Sequence, residues 1–353
     1  MKLVMTLLVR DEEDVIESHL EFHLAAGVDL VIVTNNGSVD GTPAILERFE
    51  RQGRVRVIQE PAGEFRQREW VTRMARLAAT EHGADWVLNS DADEFWWPRG
   101  GSLQEVLAAI PGRYGIVQAF VRHFVPVSED GGSFAERMIY RLSPQAPIND
   151  PTSPWRPFRK VVHRADPEAD VIEGSHALRG STFRPLRGWY PIEVPHFPIR
   201  SRAQLTRKGA VWGSAVEKYY GGERVLAGPG TAYHALAHRA SEEGRSVEYY
   251  ESLAFDERGI EQGLEEGVLR EDTRLRDAVR SLRGGGGLSF PRPTVADNAL
   301  YAVDAAVLGE GDVIRARRWL DELEQRLSAV EANAGIRFER RLRSLVRRRR
   351  GPK

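Results

Sequence analysis

Cysteine is absent from the 353-residue chain. Without thiols there is no disulfide framework, no cysteine zinc site, no iron–sulfur cluster and no thiol nucleophile. Any bound metal must therefore be held by carboxylate, imidazole, carbonyl or water ligands. Hydrophobic residues make up 41% of the chain, so an ordinary globular core is expected.

Long apolar runs are also missing. The run at the start of the chain, Leu3 to Val9, has seven residues and leads at once into acidic residues. It is shorter than a signal-peptide core, and no stretch approaches the ~20 apolar residues of a membrane span. We therefore expect a cytoplasmic protein.

The chain also has no excess of one charge sign, because it contains 50 basic and 51 acidic residues. The exception is residues 338–353, with seven Arg, one Lys and one Glu. The body of the chain is thus acidic, and we expect no nucleic acid as partner. For the basic tail a solvated helix end is favoured, and peripheral membrane contact through Leu342, Leu345 and Val346 is the alternative.

Strand and helix patterns alternate over the first 110 residues, which predicts an α/β fold with a mostly parallel sheet and helices on both faces. We expect this nucleotide-binding type of domain over residues 1–235 and a helical extension over 236–283. A Gly/Pro linker is predicted over 284–293, and C-terminal helices, split near Gly309, over 294–353.

The sequence DADEF, residues 91–95, directly follows a predicted buried strand. Asp91 and Asp93 at a strand end can hold a hard divalent cation, which in turn neutralises a diphosphate. A solvated acidic turn is the alternative. The aromatic run Phe95–Trp96–Trp97 favours the functional interpretation, because sugar pockets use aromatic stacking faces.

A second polar turn, VTNNGSVDGT, follows the second strand. Asn35, Asn36 and Asp40 suit recognition of a nucleobase edge and ribose hydroxyls, and an ordinary βα turn is an equal alternative. The acids of VRDEED, residues 9–14, are interpreted as a helix N-terminus that complements the helix dipole. His19 and His23 have metal-capable spacing but are expected to pack against the sheet.

These segments together resemble a family-2-type glycosyltransferase with the GT-A fold, in the branch close to glycosyltransferase family 92. The resemblance rests on VRDEEDVIESHLEFHLAAGVDLVIVTNNGSVDGT and WVLNSDADEFW, over about residues 3–97. A weaker match continues with GSHAL and HFPIRSRAQLTRK. The resemblance implies a metal-dependent, inverting transfer from a nucleotide diphosphate sugar, with uridine favoured, to a hydroxyl of a saccharide or lipid-linked acceptor.

The resemblance also implies residue roles. Asp91, Asp93 and His196 would hold Mn²⁺ or Mg²⁺, and Asp91 would also contact the ribose. The donor would be bound in addition by Lys160, Arg200, Lys208, Asn35, Asn36 and Asp40. The paired amides depart from the family, which usually has at least one Asp there.

The general base is left open among Glu173, His176 and Glu94, with Asp150 as a further candidate. Two other functions stay open: a non-catalytic nucleotide-sugar-binding module and, less favoured, an aspartyl phosphoryl-transfer hydrolase. Glu94 and the aromatics after Asp93 fit the hydrolase poorly.

Overall fold

Alternating strands and helices build the first part of the chain. The computed structural model describes residues 1–61, 66–129, 132–143, 155, 158–210 and 232–349. Its strands are β1 (Leu3–Val9), β2 (Leu30–Asn36), β3 (Val55–Glu60), β4 (Trp86–Asp91), β5 (Trp97–Pro98), β6 (Ile116–His123), β7 (Tyr140–Leu142), β8 (Arg159–Arg164), β9 (Pro185–Leu186), β10 (Ile192–His196) and β11 (Leu269–Glu271).

Within these residues one large sheet has the order β3-β2-β1-β4-β8-β6-β10-β5, with β9 beside β6. Strands β3, β2, β1 and β4 are parallel, as are β6 and β10, whereas β8 runs antiparallel between β4 and β6. A separate ribbon pairs β7 with β11. The mostly parallel sheet predicted from the sequence is therefore confirmed.

Helices cover both faces of this sheet. The helices of the described residues are α1 (Ile16–Ala25), α2 (Thr42–Arg51), α3 (Gln67–Thr80), α4 (Leu103–Ala108), α5 (Phe134–Arg137), α6 (Arg202–Lys208), α7 (Ala232–Glu242), α8 (Ser246–Leu253), α9 (Glu257–Glu265), α10 (Arg274–Arg283) and α11 (Val295–Arg349). Leu20 of α1 and Leu46 of α2 join one hydrophobic cluster, and Met74 of α3 joins the other. Since β1 contributes Leu3 to the first and Val4 to the second, it is buried on both sides.

Two element boundaries differ from the sequence prediction. Helix α1 begins at Ile16, after the acids of residues 9–14 that were interpreted as its N-terminus, and Asp11 among them adopts a left-handed backbone with φ 55° that cannot continue a helix. The predicted split near Gly309 is wrong, since α11 runs unbroken through that position. Gly309 has only open space where a side chain would start, and a glycine inside a helix costs about 1 kcal/mol relative to alanine, which a long helix tolerates.

Side chains alternate across β6 and β10, which are paired in register. His123 lies opposite His196, whereas Arg122 lies opposite Pro195 and its side chain enters the other face of the sheet. The two histidine side chains therefore lie on one face of the sheet. The side chain of Arg122, the residue before His123, lies on the other face.

On its own face Arg122 belongs to a buried group of charges, here called the arginine network. Arg122 contacts Glu193 at 2.7 Å and Asp304 at 2.5 Å, and all three side chains are at most 4% exposed. The network consists of Arg99, Arg122, Arg141, Arg270, Arg274, Glu193, Asp272 and Asp304. It ties β6, β10, β7, β11 and the start of α11 together.

The chain divides into two compact units, Met1–Ala305 and Ala306–Lys353. The finer boundaries predicted at residues 235, 283 and 293 stay predictions. Among the described residues, no helix has both the length and the apolar character that crossing a bilayer requires.

Candidate active site at the strand ends

Charged side chains gather where the parallel strands end. Asp91 is the last residue of β4, Asp93 and Glu94 follow it, and His196 is the last residue of β10. Ligand sites in open α/β sheets lie at this edge. The group, here called the strand-end cluster, consists of Glu12, Asp14, Asp91, Asp93, Glu94, His123, Lys160, His196, Arg200 and Lys208.

Lys160, on the inserted antiparallel strand β8, binds two of these acids. Its Nζ lies 2.7 Å from Asp91 Oδ2 and 2.8 Å from Glu94 Oε1, and the side chain is 2% exposed. Burial opposes the charged form, but the two carboxylates outweigh burial and raise the pKa of Lys160 above its usual value. Lys160 is thus a fixed cation that orients Asp91, whose own side chain is 35% exposed.

Glu94 is the most deeply buried acid of the group, with a side chain 1% exposed. Burial raises its pKa to about 8, although Lys160 acts in the opposite direction. Its Oε2 also accepts a hydrogen bond of 3.2 Å from the backbone N–H of Asp91. Both carboxylate oxygens are therefore engaged in holding the turn that presents Asp91.

Asp93 lies among three basic groups. Its Oδ2 is 2.8 Å from Lys208 Nζ and 3.7 Å from Arg200 Nη1, and its Oδ1 is 3.6 Å from His196 Nε2. Burial favours the protonated acid, but the cations Lys208 and Arg200, Lys208 foremost, outweigh burial and hold the pKa of Asp93 well below its usual range. The carboxylate is ionised at every ordinary pH.

His196 faces Asp93 as a neutral ring. Burial lowers its pKa well below the usual value, despite the opposing effect of Asp93. Its Nδ1 lies 3.0 Å from Nδ1 of His123, so one of the two rings donates to the other. This contact leaves Nε2 of His196 directed at the Asp93 carboxylate.

Arg200 links the cluster to the loop after β1. Its Nε lies 2.7 Å from Asp14 Oδ2 and its Nη2 binds Glu12, with the guanidinium fully buried. Burial raises the pKa of Glu12, and Arg200 opposes that effect. For Asp14 burial also acts upward, but Arg200 prevails and lowers the pKa. Lys208 Nζ lies 3.6 Å from Glu12 as well.

Sequence reasoning missed three members of the cluster. Glu12 and Asp14 were interpreted only as acids that complement a helix dipole. They follow β1, which pairs in parallel with β4, so their position after a strand end already indicated the same edge of the sheet as Asp91. His123 carried no motif at all. Its role becomes visible only through the pairing of β6 with β10.

The base-recognition residues form hydrogen bonds within the protein. Asn35 donates to Gln59 at 2.9 Å and accepts from the Ser38 hydroxyl at 2.6 Å. Asn36 donates to the carbonyl of Pro61 at 2.9 Å. Asp40 accepts from the backbone N–H of Glu13 at 3.0 Å and of Thr42 at 2.9 Å. These contacts shape the turn after β2; the predicted role in binding the donor stays a prediction.

The aromatic run after Asp93 is not a sugar-stacking surface, contrary to the expectation. Phe95, Trp96 and Trp97 are at most 7% exposed and belong to the hydrophobic core. Burying a large aromatic stabilises the core by roughly 2–3 kcal/mol, which outweighs exposure at the site. His23 and His19 pack there too: Phe95 stacks on the His23 ring at 5.9 Å, and both histidines are fully buried.

An aromatic contact instead connects the cluster to the segment proposed for the base. The ring of Phe158 lies 5.0 Å from that of His176, 5.1 Å from His123 and 5.9 Å from His196. His176 is exposed, and its Nδ1 lies 2.8 Å from the carbonyl of Arg159. Glu173 opens a short 3₁₀ turn in this segment. Asp150 lies outside the described residues.

A cavity of about 660 Å³ lies elsewhere, on the face of the sheet that carries the arginine network. Trp97, Arg122, Glu193, Arg274 and Tyr301 are among its lining residues. None of the strand-end residues borders it, so cavity size and chemical character point to different places. The strand-end position and the chemistry of the side chains decide for the cluster.

Comparison with known proteins agrees with that choice. Residues 10–164 match the model of the family described as glycosyl transferase family 2. These residues are similar to glycosyltransferases of that family, and they make up less than half of the chain. They include the strand-end acids Glu12, Asp14, Asp91, Asp93 and Glu94 together with Lys160. The α/β fold is of the GT-A type expected from the sequence, and the branch close to family 92 stays a prediction.

Solved structures give more distant likenesses. Glucosyl-3-phosphoglycerate synthase from Mycobacterium tuberculosis, in complex with Mn²⁺, UDP and glucosyl-3-phosphoglycerate, is 23% identical, with a TM-score of 0.26. The match covers 34% of this chain and 44% of that enzyme, so it spans less than half of the mycobacterial chain.

TarS 1-349 from S. aureus, in complex with UDP-GlcNAc, is 12% identical, with a TM-score of 0.33, over 81% of this chain and 93% of that one. No curated protein matches this chain.

Proposed function

We propose that the chain transfers a sugar from a nucleotide diphosphate sugar, with uridine as the favoured base, to an acceptor hydroxyl. The observation that carries the proposal is the pair Asp91 and Asp93 at the end of a buried parallel strand, surrounded by Lys160, Arg200 and Lys208. Acids that bind a cation, together with bases that bind phosphate oxygens, suit a diphosphate leaving group.

A divalent cation fits the donor set on two observations. Five carboxyl groups of the strand-end cluster face only three Lys and Arg side chains of that cluster. In addition, the neutral Nε2 of His196 and the Oδ1 of Asp93 lie side by side. We propose Mn²⁺ or Mg²⁺ held by Asp93, His196 and Asp91, where it would offset the charge that builds on the departing diphosphate.

Across the described residues, no three His, Cys, Asp or Glu side chains converge on one metal-binding point. This fits a cation that keeps several waters and takes further ligands from substrate phosphates, as Mg²⁺ sites commonly do. We therefore propose that donor and cation bind together.

The three basic side chains of the cluster, Lys160, Arg200 and Lys208, are proposed to have different roles in donor binding. Lys208 is 15% exposed, and we propose that it contacts the diphosphate directly. Lys160 and Arg200 are at most 2% exposed and each contacts at least two carboxylates. We propose that they contribute positive potential to donor binding mainly by fixing those acids.

For the base we propose the segment of Glu173 and His176, in an inverting reaction. Support comes from the exposed ring of His176 and its connection to the cluster through Phe158. Glu94 is the weaker candidate, because its carboxyl group is buried and engaged with Lys160. A saccharide or lipid-linked acceptor and a cytoplasmic location complete the proposal. For the basic tail a solvated helix end stays the favoured interpretation, with peripheral membrane contact as the alternative.

The test is release of UDP from UDP-sugars, with and without Mn²⁺, by the chain and by Asp93→Asn. We expect Mn²⁺-dependent UDP release that falls about 10²–10³-fold in the variant, since charge stabilisation at the leaving group is lost. A matched control is Asp85→Asn, at the opposite end of the same strand.

Release of inorganic phosphate would instead favour the hydrolase, and donor binding without turnover would favour a binding module. Equal donor affinity in Asp93→Asn and in the unaltered chain would refute the metal role of this residue. Circular dichroism checks that the variants are folded.

A further inference from the structure

A row of large apolar side chains lies exposed on α11, within the second compact unit. Val313, Leu320, Leu323, Leu327 and Val330 have between 38% and 67% of their surface exposed. Every residue from 320 to 330 is exposed, on all sides of the helix. These five residues, here called the apolar stripe, therefore lack an apolar cover among the described residues.

The spacing of the stripe identifies the kind of cover. Successive members are seven, three, four and three residues apart. At 100° per residue all five fall within an arc of about 100° on one side of the helix. This is the a/d spacing of a coiled-coil seam, in which each side chain inserts between four residues of a facing helix.

The charges around the stripe argue against a lipid surface as the cover. Arg317, Glu324 and Arg326 flank the stripe, Asp321 and Glu322 lie farther round the helix, and all five are exposed and of mixed sign. Helices that lie on anionic membranes have a strongly basic polar face instead. Alternating signs beside an a/d seam are typical of helix pairing.

We infer that the apolar stripe pairs with the same stripe of a second copy of this chain. In an antiparallel pair with Leu320 against Leu323 of the second copy, Val313 meets Val330 and Arg317 comes beside Glu324. A two-fold axis repeats each of these contacts, so one sequence satisfies both sides of the interface. The flanking ion pairs add little affinity but select the register.

The experiment measures the mass of the full chain by sedimentation equilibrium over a hundredfold range of concentration. The chain mass is 39.7 kDa, and we expect about twice that value at the upper end. The double variant Leu320→Glu/Leu327→Glu should weaken association at least tenfold. Its folding is not at risk, because both side chains are solvent-exposed in the single chain.

The matched control is Gln325→Glu/Ala329→Glu, which adds the same two charges on the opposite side of the helix. The control should associate like the unaltered chain. A monomer at all concentrations, or a dimer that persists in the stripe variant, would overturn the inference. Sedimentation with phosphatidylglycerol vesicles is the last arm: a monomer that binds them through the stripe would show that lipid covers it.

Discussion

The strand-end cluster and the arginine network both bury charge, yet the balance of signs is opposite. In the network five arginines contact three carboxylates, and each of those carboxylates contacts at least two arginines. In the cluster five carboxyl groups contact three bases. Buried charge alone therefore does not distinguish the candidate site from the network; the excess of acids at the strand ends does.

The difference also appears in what each group joins. The network connects β6 and β10 to the ribbon of β7 and β11 and to the start of α11, so it holds distant segments together. The cluster gathers side chains around Asp91, which is one-third exposed. We expect substitutions in the network to affect stability and substitutions in the cluster to affect activity.

The largest effect on stability is expected from Arg122→Met. Removing this guanidinium leaves Glu193 and Asp304 buried with fewer counter-charges, and breaking a buried pair in this way costs about 3–5 kcal/mol. Urea unfolding measures the loss. UDP release by the folded fraction should be unchanged, and a variant with full stability would show that the network is dispensable.

Lys208→Ala should show the reverse pattern. Asp93 loses its nearest cation but keeps Arg200 and His196 as neighbours, so the free energy of unfolding should fall by about 1–2 kcal/mol, less than in Arg122→Met. Loss of the proposed diphosphate contact should reduce kcat/KM by about 10–100-fold, equivalent to roughly 1.4–2.7 kcal/mol. If Lys208→Ala lowered stability and left activity unchanged, the proposed contrast between the strand-end cluster and the arginine network would be contradicted.

The two groups should also differ in their response to pH. The folded-state pKa of Glu94 is raised to about 8 by burial, so the protonated form is favoured in the native state. Stability tied to Glu94 is full below pH ~4.5 and declines as pH rises toward 8. Glu94→Gln should remove this decline.

Glu193 behaves oppositely, because Arg122 and its neighbours outweigh burial and hold its pKa well below the usual value. Its contribution is present above pH ~4.5 and is lost as pH falls toward the lower, native pKa. Unfolding by urea in EDTA between pH 3 and pH 8 checks both slopes. Parallel slopes in Glu94→Gln and Glu193→Gln would contradict the assignment.

The smallest effect is expected from Arg99→Ala, at the rim of the network. Arg99 lies 3.2 Å from Glu193 and stacks on the Tyr301 ring at 3.8 Å, but Glu193 keeps Arg122 and Arg274. We expect a loss of about 0.5–1 kcal/mol. If Arg99→Ala lowered the free energy of unfolding as much as Arg122→Met does, the ion pairs of the network would be fully coupled and Arg99 would not be peripheral.

Much of the fold followed from local patterns in the sequence. The alternation of strands and helices, and the acids after β4, depend on short-range periodicity, and the prediction of the fold is confirmed. The partners of Arg200 could not be found that way, because Asp14 lies 186 residues away in sequence. Which residues lie next to a charged side chain in the folded protein depends on how the strands pair, and the spacing of residues in the sequence does not show it.

The aromatic run shows the opposite failure. Trp96 and Trp97 were placed in a sugar pocket because they adjoin the acids, yet β5 turns them into the core, where the Trp96 indole donates to the Ser90 hydroxyl at 3.1 Å. Proximity in sequence to a site says little about which way a side chain points. A hydrophobic core competes for every large aromatic residue.

The register between β6 and β10 has a consequence for how this chain can change over evolution. A one-residue insertion or deletion within β10 would exchange its two sides, and His196 would then leave Asp93 for the compartment occupied by Arg122. Surface loops of proteins commonly accept insertions and deletions. These two short strands, by contrast, tolerate changes of identity far better than changes of length.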